Sequence, residues 1–383
     1  MLHSLDLFSG VGGITRALEG FACPRLYCER DPHACQVLKK LMAKGKLPKA
    51  PIHNDVVTLN GNTLRGKVQL IAAGFPCVGF STAGNQDGFE NAQSSLYKHV
   101  VRLVREVQPP FVFLENVPGI LKLGVQEVAR TMTSMGYILW WLVIPAWAVG
   151  GVQKRSRWFC LAVHPNKIGT HIQSLKPWKW YNWKKEPVPR MVPDYSEELK
   201  RRVGMMGNSV VPDCVRMAFM LLWTGCTIPA PQVKALQKLK LTLPETLATP
   251  PSAASMSTPP KYGAAMSKKG AIVPIAGPTG LRGRPNLRIL IDPHTFKNPK
   301  SYTPSMPLTS GKVRTVQQID HWATPRHAVG YIGARTLTNR CMRDLGSQLR
   351  FARDTPDAIR SGYTNPDWVD WLMGFPVGWT KFT

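Results

Sequence analysis

Leu70-Ile71-Ala72-Ala73-Gly74-Phe75-Pro76-Cys77-Val78-Gly79-Phe80-Ser81 is the stretch that decides the fold. A short apolar run, long enough for one buried strand, stops at a glycine and a proline, and a single cysteine follows. In an open α/β sheet the loop past the carboxyl end of a strand is where ligands bind. A thiol held there by a rigid proline suits a nucleophile. Free cysteine is also among the most buried residue types, so this segment alone leaves Cys77 equally a nucleophile or a packed thiol.

The flanking sequence supplies partners for such a strand. Upstream, residues 2–8 read as a strand that runs into Ser9-Gly10-Val11-Gly12-Gly13, and helical spacing follows at Ile14, Ala17, Leu18 and Phe21. Strand, glycine loop and helix together let backbone N–H groups approach a ligand closely. The spacing is GxGG, not the dinucleotide pattern GxGxxG, so a tight structural turn fits as well as a cofactor loop. A second strand, Arg25–Cys28, ends at Glu29, where an acid can bind a ribose diol or simply be solvated. Asp55 suits contact with an exocyclic amine, or a helix N-cap.

Downstream, a helix is expected over Leu96–Val107 and a buried strand over Phe111–Leu114, ending at Glu115-Asn116-Val117-Pro118. A carboxylate there shares a sheet edge with Cys77, and two reactive groups at the ends of separate parallel strands are hard to dismiss as packing. Strands are expected at Tyr137–Ile144 and Trp158–Val163. Between them lies Gln153-Lys154-Arg155-Ser156-Arg157, either a solvated hairpin loop or an anion clamp. Residues 165–193, with Trp178, Trp180 and Trp183 among lysines, read as an aromatic cluster under a loop ahead of a nucleic-acid surface. Helices are expected at Glu197–Met206 and Pro212–Leu222, around Gly207-Asn208-Ser209-Val210-Val211-Pro212.

Bulk properties narrow the class. The chain has 383 residues and 44% hydrophobic content, enough for a real core. Its eight cysteines contain no CxxC pair, so neither a zinc site nor a disulfide framework is indicated. With no basic leader and no apolar 18-mer, an intracellular protein that does not span a membrane is expected. The net charge of +26 exceeds what solubility needs and points to a polyanion, preferably nucleic acid. Residues 241–280 have linker composition, and residues 261–353 hold sixteen Lys or Arg against three acids.

Taken in order, these blocks resemble the cytosine-C5 DNA methyltransferase family. Asp6-Leu7-Phe8-Ser9-Gly10-Val11-Gly12-Gly13 is similar to its first cofactor motif, Gly74-Phe75-Pro76-Cys77 to its nucleophile loop, and Glu115-Asn116-Val117 to its glutamate motif. Gln153-Lys154-Arg155-Ser156-Arg157 is similar to its QRRxR element and Gly207–Pro212 to its last cofactor motif. The resemblance implies an α/β fold, a Rossmann-like methyltransferase sheet with helices on both faces plus a smaller basic, loop-rich recognition region. It implies S-adenosyl-L-methionine as cofactor, with no metal. The cofactor would be bound by Phe8, Ser9, Gly10, Gly12, Gly13, Glu29, Asp55, Pro76, Leu96, Asn208 and Ser209. Cys77, Glu115, Arg155 and Arg157 would be catalytic, acting on a cytosine flipped out of duplex DNA.

The chain departs from the family at two points. Val78 stands where glutamine is usual. The segment Asn365–Pro376, similar to the family's penultimate motif, follows the GNSVVP block instead of preceding it, as in some phage-type members. Residues 1–224 are therefore expected to form the catalytic domain, 225–280 a linker and 281–363 the recognition region. Residues 364–383 are expected to pack back on the recognition region or the catalytic domain. Double-stranded DNA is the expected partner of a monomer, with a cognate restriction endonuclease left open. Competing readings are an RNA (tRNA) cytosine-C5 methyltransferase, whose branch carries a CFT tripeptide absent here, and an inactive DNA-binding protein on the same scaffold.

Overall fold

A computed structural model describes residues 1–77, 96–167, 178–183, 185–227, 322–323 and 363–382. The elements in chain order are β1 (Leu2–Leu7), α1 (Gly13–Ala17), β2 (Ala22–Cys28), α2 (Pro32–Ala43), β3 (Ile52–His53), β4 (Leu70–Gly74), α3 (Tyr97–Val107) and β5 (Phe111–Asn116). They continue with α4 (Ile120–Leu123), α5 (Val125–Thr133), β6 (Ile138–Pro145), β7 (Gln153–Lys154), β8 (Ser156–Val163), β9 (Met191–Val192), α6 (Glu197–Asn208) and α7 (Pro212–Thr227). Last come β10 (Trp322–Ala323), β11 (Tyr363–Thr364) and α8 (Pro366–Leu372).

Seven strands form one sheet in the order β3-β2-β1-β4-β5-β8-β6. The five from β3 to β5 are parallel, and β8 runs antiparallel to both β5 and β6. Parallel strands need covering on both faces and so read as continuous apolar runs, which is why 70–73 carries no polar alternation. The period of two reappears in which core each residue joins. Leu70, Ala72, Phe111 and Phe113 pack on the face covered by α2, α6, α7 and α8. Ile71, Ala73, Val112 and Leu114 pack on the face covered by α3 and α5. Phe21, Phe111, Phe113, Phe219 and Trp223 interlock at centroid distances of 4.7 to 5.5 Å.

The chain crosses from the β1–β2–β3 half to β4 beside β1, and an open α/β sheet binds its ligand in the crevice at such a switch point. The glycine loop after β1 and the Cys77 loop after β4 both leave the sheet there. The helix after the glycine loop is shorter than its apolar spacing predicts. α1 ends at Ala17, because the chain turns through Gly20 at φ +77° before Phe21 enters the core. The aromatic cluster expected over 165–193 is present at its described end: Trp183 is buried and its indole N–H donates to the carbonyls of Trp371 and Leu372.

The expected linker and recognition region at 225–363 lie outside the described residues except for 225–227, 322–323 and Tyr363, and Val78 lies outside them too. Strand β10 pairs with β7 in parallel, Trp322 opposite Gln153, and β11 pairs antiparallel with β9. Among the described residues, no helix is long and apolar enough to cross a membrane.

Candidate active site

Strand register sets the geometry. Gly74, the last residue of β4, lies opposite Glu115 on β5, and Cys77 follows three residues beyond. A Cβ built on Gly74 would stand 3.1 Å from Glu115 Oε2, so the glycine leaves room for the carboxylate. Asn116, next along β5, donates from Nδ2 to the carbonyl of Phe75 at 3.2 Å and ties the start of the Cys77 loop to its neighbour strand. Cys77 is half-buried.

Of the two arginines of the 153–157 block, Arg155 lies between β7 and β8 and Arg157 lies on β8. Glu115 pairs with Phe159 on β8, and Arg157 reaches back along that strand to place Nε 3.0 Å from Glu115 Oε1. Arg155 is 4% exposed, far from the solvated hairpin loop its charge allowed. Its guanidinium donates to the carbonyls of Gly207 and Ser209. Gln153 is fully buried, and neither side-chain amide atom has a hydrogen-bond partner among the described residues.

Burial dominates the electrostatics. It raises the Glu115 carboxyl above its ordinary range, against the pull of Arg157 and Arg155. It also raises the Cys77 thiol, opposed by Arg157 and assisted by Glu115. Burial and the neighbouring Arg157 push the Arg155 guanidinium well down. The site therefore holds one carboxyl that keeps its proton more tightly than usual, beside a cation and a thiol. Such a group can hydrogen-bond an atom that gains electron density.

The glycine loop forms the adjoining half of the crevice. Phe8 takes φ +54°, which few non-glycine residues adopt, and Gly10 and Gly12 follow at +53° and +79°. The Ser9 hydroxyl donates to the Asp6 carbonyl at 2.7 Å. Glu29 sits at the end of β2 and accepts from Gly10 N at 2.7 Å through Oε2 and from Asp31 N at 2.8 Å through Oε1. A carboxylate offers about four lone-pair sites, so acceptor capacity remains for a hydroxyl. Space is open at Gly10, where a Cβ would meet nothing within 4 Å. At Gly13 a Cβ would stand 2.7 Å from Val210 and 3.3 Å from Ser209 Oγ, so the 207–212 turn closes directly on the loop. Ser209 thus touches the glycine loop with its side chain region and Arg155 with its carbonyl.

Of the remaining predicted residues, Asp55 follows β3, Pro76 precedes Cys77, and Leu96 stands at the start of α3. Asp55 Oδ1 accepts from Val57 N at 2.9 Å, a local turn of the capping kind. Asn208 is exposed at the end of α6. Sequence reasoning passed over Gly74 and Asn116 as site residues; a glycine just ahead of the Phe-Pro-Cys loop and an asparagine beside the glutamate were the available signals. Among the described residues, no cluster of His, Cys, Asp and Glu could hold a metal ion.

A model of the C-5 cytosine-specific DNA methylase family matches residues 2–218. The chain belongs to that family. It is 35% identical over 228 residues to the Type II methyltransferase M.CviJI of Paramecium bursaria Chlorella virus IL3A, covering 58% of this chain and 60% of that relative. It is 31% identical over 231 residues to the Type II methyltransferase M.HhaI of Haemophilus parahaemolyticus, covering 57% and 68%. The crystal structure of S. pombe Dnmt2 methyltransferase aligns over 43% of this chain and 51% of its own, at 25% identity and a TM-score of 0.35. The chain thus spans about 60% of the length of M.CviJI.

Proposed function

We propose that this chain is a DNA (cytosine-5)-methyltransferase that uses S-adenosyl-L-methionine and forms a covalent adduct between Cys77 and C6 of a flipped-out cytosine. The observation that carries the reading is the constellation at one sheet edge: Cys77 past β4, Glu115 opposite Gly74 on β5, and Arg157 Nε 3.0 Å from Glu115. The glycine loop and Glu29 adjoin it at the switch point.

Cytosine C5 is a poor nucleophile, and covalent addition at C6 corrects that. The Cys77 thiolate forms the S–C6 bond, and the displaced π electrons move toward C5 and N3. Glu115, whose burial favours the protonated form, donates to N3 and compensates the charge that collects there. Arg157 holds Glu115 in place and faces the O2 side of the base. Arg155, tied to Ser209 and Gly207, orders the wall between the two halves of the site. Once C5 carries the methyl group, loss of its proton to solvent lets the S–C6 bond break, so that N3 returns its proton to Glu115 and Cys77 leaves as the thiolate.

S-adenosyl-L-methionine supplies an electrophilic methyl group when bound. The residues here fit it: Glu29 for the ribose, the Phe8–Gly13 loop for the chain of the cofactor, Asp55 for the adenine, and Pro76, Leu96, Asn208 and Ser209 around them. Open space at Gly10 and remaining acceptor capacity on Glu29 are what such a ligand requires. Duplex DNA is the substrate, and extracting one base costs a few kcal/mol. The basic residues of 261–353 offset that by gripping phosphates. We place target recognition in 281–363, after a 225–280 linker and the 1–224 catalytic domain, in a monomer inside the cell.

Expression in a methylation-free bacterial host, followed by bisulfite sequencing of host DNA and RNA, tests this. Modified cytosine in DNA, abolished by Cys77→Ser, is expected. Modification of RNA alone would favour the RNA branch. Unmodified nucleic acid from soluble protein would favour an inactive DNA-binding protein and end the enzyme reading.

A further inference from the structure

Residues 363–382 return to the catalytic core from the far end of the chain, and they touch the glycine loop. The Trp379 indole N–H donates to the Val11 carbonyl at 2.9 Å across 368 residues of sequence. Trp379 is 3% exposed, and the Arg16 guanidinium lies 5.0 Å from its ring centroid. Phe375, its ring 5.4 Å from that of Trp379, lies so close to Gly13 that a Cβ there would be 3.3 Å from Phe375 Cζ.

Val11 stands between two left-handed glycines, Gly10 and Gly12. Glycine crosses between positive and negative φ at little steric cost, so side chains give this segment little resistance to peptide rotation. Glu29 fixes it from one side through Gly10 N. On the other side the Val11 oxygen is held by Trp379. We infer that Trp379 is a positioning residue for the cofactor, fixing the peptide planes of the glycine loop from a segment outside the cofactor motifs. This rests on the cofactor reading above.

The segment has separate anchors that leave the loop untouched. Arg202 pairs with Asp367 and with Asp370, the latter at 3.2 Å, and Lys381 reaches Asp367 at 3.0 Å. Asp367→Ala therefore loosens the segment without altering the loop contact, whereas Trp379→Phe keeps an aromatic ring but removes the N–H together with part of the indole.

The test is binding of S-adenosylhomocysteine by calorimetry to the full chain, with amide hydrogen exchange over residues 9–16 in the ligand-free protein. Trp379→Phe is expected to weaken binding about tenfold, the scale of one buried hydrogen bond, and to speed exchange in that segment. Asp367→Ala is expected to lower Tm with binding unchanged. Trp379→Phe binding within twofold of wild type would overturn the inference, as would equal weakening by Asp367→Ala. Failure of the wild-type chain itself to bind would overturn the cofactor reading and the inference with it.

Discussion

Removing the Arg157 side chain isolates the electrostatic logic of the site. Arg157 Nε lies 3.0 Å from Glu115 Oε1, and both side chains are largely buried, at 17% and 10% exposure. Breaking a buried pair by deleting one partner costs about 3–5 kcal/mol, because it strands a charge. Glu115 can escape by taking a proton, which sets a ceiling on that cost. From an ordinary value of 4.5, holding the carboxyl protonated at pH 8 costs about 5 kcal/mol, and at pH 5.5 about 1.4 kcal/mol, at 1.36 kcal/mol per pH unit. Arg157→Ala should therefore destabilise by about 3–5 kcal/mol at pH 8 and by little more than about 1.4 kcal/mol at pH 5.5. Adding Glu115→Gln to it should recover most of the pH 8 loss. Urea unfolding of the wild type, both single variants and the double variant at the two pH values measures the coupling. A loss equal at both pH values, or no recovery in the double variant, would show that Arg157 acts by packing alone.

Other perturbations probe neighbouring parts. Gly74→Ala puts a Cβ 3.1 Å from Glu115 Oε2, so the carboxylate must shift by a few tenths of an ångström. Single-turnover methylation should slow about tenfold while Tm moves only a few degrees, and an unchanged rate would show that Glu115 tolerates the shift. Arg155→Lys gives up the fork that spans Gly207 and Ser209 and should cost about 1–3 kcal/mol in urea unfolding; wild-type stability would refute that role. Asp6 is buried and its carboxyl is pushed up to about 7 from 3.8, chiefly by burial. Its contribution is thus greatest at low pH and fades as pH rises from about 4 through 7. Asp6→Asn should flatten that part of the stability–pH curve, and an unaltered slope between pH 5 and 7.5 would assign it to other groups.

Local signals made the seven-stranded sheet and its candidate site legible. The unbroken apolar run 70–73 announced a strand buried on both faces, and the Gly-Phe-Pro-Cys and Glu-Asn-Val blocks marked the loops at its edge. The closing of Ser209 on both Gly13 and Arg155 was not legible as a contact, although both blocks were recognised, because three segments distant in sequence meet there. The burial of Arg155 separates two readings that the sequence left open, a solvated hairpin loop and an anion clamp, and only tertiary packing supplies the carbonyls that accept its hydrogen bonds. The short α1 shows local geometry overriding apolar periodicity, since Gly20 turns the chain while Phe21 still reaches the core. Trp379 lay furthest from view, its partner carbonyl being at the opposite end of the chain.

The return of the terminal segment bears on how this protein can diversify. α7 ends at Thr227 and Tyr363 pairs with Val192, so the stretch of sequence between them is bounded at both ends by one scaffold, and within it Trp322 pairs with Gln153. Closing a longer span is inexpensive, about 0.6 kcal/mol per doubling of length. A different sequence of different length could be spliced between the moorings, with the Trp322–Gln153 pairing kept, while Phe375 and Trp379 continue to brace the glycine loop. With recognition placed in that stretch, as proposed above, specificity and chemistry would evolve as separable cassettes. Deletion of everything after Thr227 is not equivalent to such an exchange, because it would remove the brace together with the cassette.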